Sequence, residues 1–174
     1  YTTTEVVVSL LVLACMGTLI AIRNNHQALM MNHLLIIAGF LLIGIANLLF
    51  ENTRINASTW MILIGTGLYM GYIPFNSIFF DRLLATFKYT GTVGFIMYLA
   101  DAFGYLGSIS VLYLKEFVGI QMGWLTFFIQ SGYFISTAGS LLILSSMIYF
   151  YQKSKRCSFF PKKGKRVLPV KNLI

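Results

Sequence analysis

The run GTVGFIMYLADAFGYLGSISVLYL, Gly91–Leu114, decides how this chain is read: it is apolar over the length of a membrane crossing and carries one carboxylate, Asp101, near its middle. At ~1.5 Å rise per residue, a helix entering at Gly91 places that carboxylate ~15 Å deep, about the centre of a ~30 Å hydrocarbon layer. A charge at that depth costs at least ~2.5–3.5 kcal/mol, so it needs polar surroundings. Helical spacing supplies part of them. Gly94, Tyr98, Asp101, Tyr105 and Ser108 share one face, flanked by Ala100, Gly104 and Gly107, whereas Phe95, Ile96, Leu99, Phe103 and Leu106 lie largely on others. The stripe is expected to face protein or water, and its small residues to admit a neighbouring helix closely.

Composition extends this reading to the whole chain. Of 174 residues 57% are hydrophobic and only 10% charged, with mean hydropathy +0.78, against roughly 25% charged residues in soluble domains. Apolar runs at Val6–Ile22, Leu34–Phe50, Thr59–Phe80, Thr92–Leu114 and Gly123–Tyr151 each approach the ~17–25 residues a membrane helix needs. The expected fold is all-α: a polytopic transmembrane bundle of five spans over 1–151, with a basic tail over 152–174. Strands of a membrane β-barrel would be ~10 residues long and alternate strictly, which these runs do not.

Charge sets the expected orientation. The connections at 23–33 and 81–90 and the tail hold Arg23, Arg82, Lys88, Lys153, Lys155, Arg156, Lys162, Lys163, Lys165, Arg166 and Lys171, while the other side has Arg54 and Lys115. The positive-inside rule then puts the first residues outside and the tail in the cytoplasm, that of a bacterial inner membrane on the resemblance below. The net charge of +8 is read as this topology signal, with the lipid bilayer as partner and no nucleic acid. Cys15 and Cys157 fall in different environments and are not expected to pair. The opening Tyr1-Thr2-Thr3-Thr4-Glu5 has no charged region of the signal-peptide kind, and the segment is expected to be preceded by further spans of the same protein.

Beside Asp101, the most informative stretch is Gly65–Ser77. Gly67 and Gly71 form a small-xxx-small pair, and Pro74 removes a backbone donor where Tyr72, Asn76 and Ser77 gather. Proline-interrupted membrane segments point to substrate sites in transporters, with a tolerated kink as the alternative. Asp81 and Arg82 close this span as a gate or as a solvated pair, and Asn76 is expected to lie nearer the membrane surface than Asp101. Asn47 reads either as interhelical glue or as part of a polar pathway. His26 and His33 are expected at the water interface and Trp60 as an interfacial anchor. Asn56-Ala57-Ser58 is formally a glycosylation acceptor, a match common by chance. The seams Gln130–Gly132 and Ser136–Ser140 suit helix packing. There is no His/Cys/Glu metal set, nucleophile elbow or phosphate-binding glycine loop, so no metal, cofactor or enzymatic activity is expected.

Two stretches carry a resemblance: Gly71–Asn76 running into Phe80-Asp81-Arg82-Leu83, and Gly94-Phe95 with Tyr98–Gly107. Over about 63–114 they resemble an uncharacterised bacterial family of multi-pass proteins, known only as a domain of unknown function, which itself looks like the major facilitator superfamily. Five spans with a cytoplasmic tail are similar to the last five of a twelve-span facilitator. In that register the facilitators' Gly/Asp/Arg-rich loop falls at 23–33, which lacks it. The resemblance implies the C-terminal part of a secondary transporter of a small solute. It would work by alternating access, with Asp101 as a proton- or solute-linked acid and Tyr98, Tyr105, Tyr72, Asn76 and Asn47 along the pathway. Pro74 would be the flexible element, and Asp81 and Arg82 the gate. The alternative is a non-transporting scaffold in which Asp101 pairs with a basic residue on another helix.

Overall fold

The computed structural model describes residues 2–88, 91–117 and 123–159. They form α1 (Thr2–Ile20), α2 (Asn25–Glu51), α3 (Ala57–Pro74), a π-helical segment (Phe75–Phe79), α4 (Phe80–Phe87), α5 (Val93–Phe117) and α6 (Trp124–Phe159). Because α3, the π segment and α4 are continuous, the chain folds as five apolar helices, as the runs predict. Four of them, Asn25–Glu51, Ala57–Phe87, Val93–Phe117 and Trp124–Ser154, are long and apolar enough to cross a membrane, while α1 is shorter. The basic tail beyond Phe159 and the connection at 118–122 lie outside the described residues.

The bundle is built on α2. Its buried residues, including Ala28, Leu29, Asn32, His33, Ile36, Gly39, Ile43, Ala46 and Asn47, recur every three or four positions. Two adjoining faces therefore pack at once, one on α3 and the other on α6. Glycine sets the closest approach. A Cβ on Gly39 would lie 2.7 Å from the Gly67 carbonyl oxygen, and one on Gly67 would lie 2.7 Å from that of Gly39, so the two backbones cross with no room for a side chain between them. The predicted partner of Gly67, Gly71, has only the Phe40 ring near it, at 4.0 Å. On the adjoining face of α2, Gly132, Ser136 and Gly139 of α6 receive Asn47, Gly44 and Phe40, so the small-residue seams serve packing. Val8, Val12, Met16 and Leu19 seat α1 against α3 through Ile62, Met70 and Ile73.

Three boundaries differ from those read off the apolar runs, for one reason: hydropathy marks what dissolves in lipid, whereas a helix continues through polar turns wherever its inner face still packs. First, α2 begins at Asn25 rather than near 34, capped by Asn24, whose Oδ1 accepts from His26 N at 3.0 Å. His33 is therefore not at an interface. It is fully buried, bonded through Nδ1 to the Leu29 carbonyl (2.8 Å) and through Nε2 to Ser146 Oγ (3.2 Å), with its ring edge-on to Phe79 at 5.0 Å.

Second, the third helix runs on to Phe87 and stops where Lys88 turns left-handed at φ 52°. Phe79, Phe80, Leu83 and Phe87 keep an apolar face against Leu29 and Ile36, so Asp81 and Arg82 sit inside the helix rather than in a loop. Third, α6 extends to Phe159. Trp60 also differs from expectation: it is buried, stacked on Phe50 at 4.5 Å, and donates from Nε1 to Asn47 Oδ1. Asn56, in the would-be glycosylation triplet, caps α3 by accepting from Thr59 N at 2.8 Å.

Gly39→Ala should therefore cost about 1–3 kcal/mol by forcing α2 and α3 apart, whereas Gly107→Ala, with nothing within 4 Å of its Cβ position, should leave thermal unfolding of the purified chain unchanged. Equal melting temperatures for the two variants would contradict the crossing.

Candidate functional site

Pro74 is where the site begins. It has no N–H to give the preceding turn, and the chain answers with the wider π turn over Phe75–Phe79 before α4 resumes. The Pro74 carbonyl accepts from Asn32 Nδ2 of α2 at 3.2 Å, inside the core. This break is fixed from behind by α2 and presents Tyr72, Phe75 and Asn76 to α5.

α5 meets them only with its first half. Val93, Ile96, Met97 and Ala100 pack on the Phe79–Phe80 cluster, and Asn76 Nδ2 donates to Asp101 Oδ1 at 3.4 Å. From Ala102 to Leu114 every residue is exposed. Between the broken helix and α5 lies an open groove of about 350 Å³, lined by Tyr72, Phe75, Asn76, Ala100, Asp101, Gly104, Tyr105 and Ser108. One carboxylate, three aromatic rings and no basic side chain make its lining. Asn76 Oδ1 is buried without a hydrogen-bond donor, leaving a free acceptor beside the carboxylate. Ser108 donates its own proton to the Gly104 carbonyl at 3.0 Å and so offers the groove only oxygen lone pairs.

The structure thus brings together Asp101, Asn76, Tyr72 and Tyr105 from the residues singled out in the sequence, with Pro74 directly behind them. Asn76 and Asp101 stand at one level, contrary to the shallower position expected for Asn76. With the helix ending at Phe87 rather than at 80, Asn76 is ~16 Å from the turn and Asp101 ~12 Å from the start of α5. Tyr98 lies outside the lining, 79% exposed. Asn47 is elsewhere in the bundle: it donates to the Ile129 carbonyl at 3.1 Å and accepts from Trp60, tying α2 to α6 and α3. Asp81 is exposed, and Arg82 reaches across to α2, donating from Nη1 to Asn25 Oδ1 at 2.6 Å. The close helix expected on the small-residue flank of α5 is not among the described residues, since Gly94, Gly104 and Gly107 have open space at their Cβ positions. Phe75, which sequence reasoning did not select, joins the site as the first residue of the π turn. A lone Phe beside a proline carries no signal of that.

Metal chemistry finds no donor set here: among the described residues no three His, Cys, Asp or Glu side chains cluster.

A family model matches residues 1–153, described as a family of unknown function, DUF5690. The chain belongs to that family. No curated protein and no solved structure matches it.

The shared level of Asn76 and Asp101 can be tested in a chain without other cysteines. Asn76→Cys with Asp101→Cys should cross-link through a short bifunctional thiol reagent and shift electrophoretic mobility, whereas Asn76→Cys with Ser110→Cys, ~13 Å further along α5, should not.

Proposed function

We propose that this chain is part of a secondary membrane transporter of a small solute, working by facilitator-like alternating access with Asp101 as its proton- or solute-linked acid. The observation that carries the reading is the Asn76–Asp101 pair inside a groove bounded by a proline-interrupted helix. An acid is kept within an apolar helix at a cost, and interrupted membrane helices are where transporters bind their cargo. In this reading the π segment is the flexible element. α5, packed only along its first turns, moves against a body formed by α2, α3 and α6. The Arg82–Asn25 contact latches the same end of the bundle, and the basic flank of α6 faces the cytoplasm.

A second reading is favoured by one feature. α5 buries none of its residues, as a helix would whose role is to receive a partner subunit, and in that case Asp101 is matched by a basic residue of the partner.

Proteoliposomes separate the two. Under an imposed pH gradient the wild-type transporter should carry protons together with or against solute, and Asp101→Asn should abolish that coupling while the protein stays folded and monodisperse. Pro74→Ala should slow turnover while leaving Asp101-dependent coupling in place. Proton flux and uptake unchanged in Asp101→Asn would end the transport role of Asp101.

A further inference from the structure

The groove at Asp101 carries enough chemistry to name the class of its occupant. Its lining holds one carboxylate, Asp101, whose single hydrogen bond among the described residues, from Asn76 Nδ2, is long at 3.4 Å. Ser108 has spent its proton within α5, so it adds another acceptor. Lysine, arginine and histidine are missing from the lining. A site that is net negative and rich in acceptors is complementary to a ligand that is positive and donates, and it penalises an anion, whose charge would face Asp101 in a medium of low dielectric.

Shape narrows the cation. A bare alkali ion requires several oxygens converging on one point, and here one carboxylate faces a groove of about 350 Å³, within the range of small-molecule sites. Three of the other lining residues are aromatic: Tyr72, Phe75 and Tyr105. Aromatic faces around a cation-sized space are the means by which proteins hold ammonium groups, because the ring quadrupole attracts a diffuse positive charge that gives up its water at little cost. Tyr72 and Tyr105 are 61% and 73% exposed, so an occupant could still enlarge its contact with them.

We infer that the groove between the proline-broken third helix and α5 binds a small organic ammonium cation, its charge on Asp101 and its alkyl groups against Tyr72, Phe75 and Tyr105. This rests on the transport reading for its biological sense but not for its test, which needs binding alone.

The test uses the purified full chain in phosphatidylcholine nanodiscs, with choline and tetraethylammonium as probes. The uncharged tert-butyl isostere of choline, benzoate and sodium chloride at equal ionic strength are the comparisons. Both ammonium ions should raise the unfolding temperature and bind saturably, and the three comparisons should not. Asp101→Asn should weaken choline binding at least about tenfold and Tyr105→Leu by about three- to tenfold, with Tyr105→Phe close to wild type. Both sites are on the open side of α5, and each variant is first required to melt as wild type does without ligand.

The inference is overturned if the uncharged isostere binds as well as choline, if Asp101→Asn retains wild-type affinity, or if neither cation binds to cooperatively melting wild-type protein. Choline binding without gradient-driven uptake would remove the transport reading and leave this one. Proton-coupled flux through Asp101 in a protein that binds no ammonium ion would do the reverse.

Discussion

The crossing of α2 over α3 at Gly39 and Gly67 is the contact on which the remaining geometry depends. In an apolar solvent there is little hydrophobic gain from joining two helices, so close backbone packing and a few buried polar contacts must hold them. With no side chain between the two glycines, α2 and α3 lie near enough for Asn47 to reach Trp60 on one side of the crossing and for Asn32 to reach the Pro74 carbonyl on the other. The same approach puts His33 against Phe79, and α6 supplies Ser146 to its other side. A wider crossing would leave the Asn32 amide and the Trp60 indole N–H without these partners in hydrocarbon, where each orphaned group is costly.

Held in this way, the proline break becomes directional. A proline ring clashes with the carbonyl of the residue four before it and removes a hydrogen bond, so the helix must kink or widen. Here the inner side of the break is pinned by Asn32 and by the packing of Phe79 and Phe80 on Leu29 and Ile36. The adjustment is taken up as a π turn that presents Phe75 and Asn76 to α5. π turns are scarce because their hydrogen bonds are poorly aligned, and they recur at functional sites because they aim side chains that a regular helix would point elsewhere. In this chain the side chain so aimed is the one that meets Asp101.

The contrast between α2 and α5 has a functional sense. One has two packed faces and carries the polar contacts that set the fold; the other is attached through Val93, Ile96, Met97 and Ala100 and is exposed beyond. Polar residues on α2 are bonded within the bundle, His33 and Asn47 through both ends of their side chains and Asn32 through its Nδ2, its buried Oδ1 having no donor among the described residues. On α5 Asp101 has a single long hydrogen bond from Asn76, so its capacity to accept is left largely unspent. A buried amide that is fully bonded belongs to the architecture, and an acid that is not belongs to whatever enters the groove.

By itself the sequence determined the all-helical architecture, the positions of the apolar cores of all five helices and the anomaly of Asp101, because length, hydropathy and i, i+3, i+4 spacing are local properties. It also pointed to Pro74, since a missing N–H is felt within one turn. The helix ends at Asn25 and Phe87, the burial of His33 and Trp60, and the split between Asn47 as a structural tie and Asn76 as a site residue were decided only in three dimensions. Each depends on which face of one helix another covers, and a polar side chain looks the same in the sequence whether its partner is water, a lipid headgroup or an atom on a helix dozens of residues away. Asp101 stood out before any fold was known; that it meets Asn76 follows from the register of two helices, which the turn at Lys88 and the π segment set together.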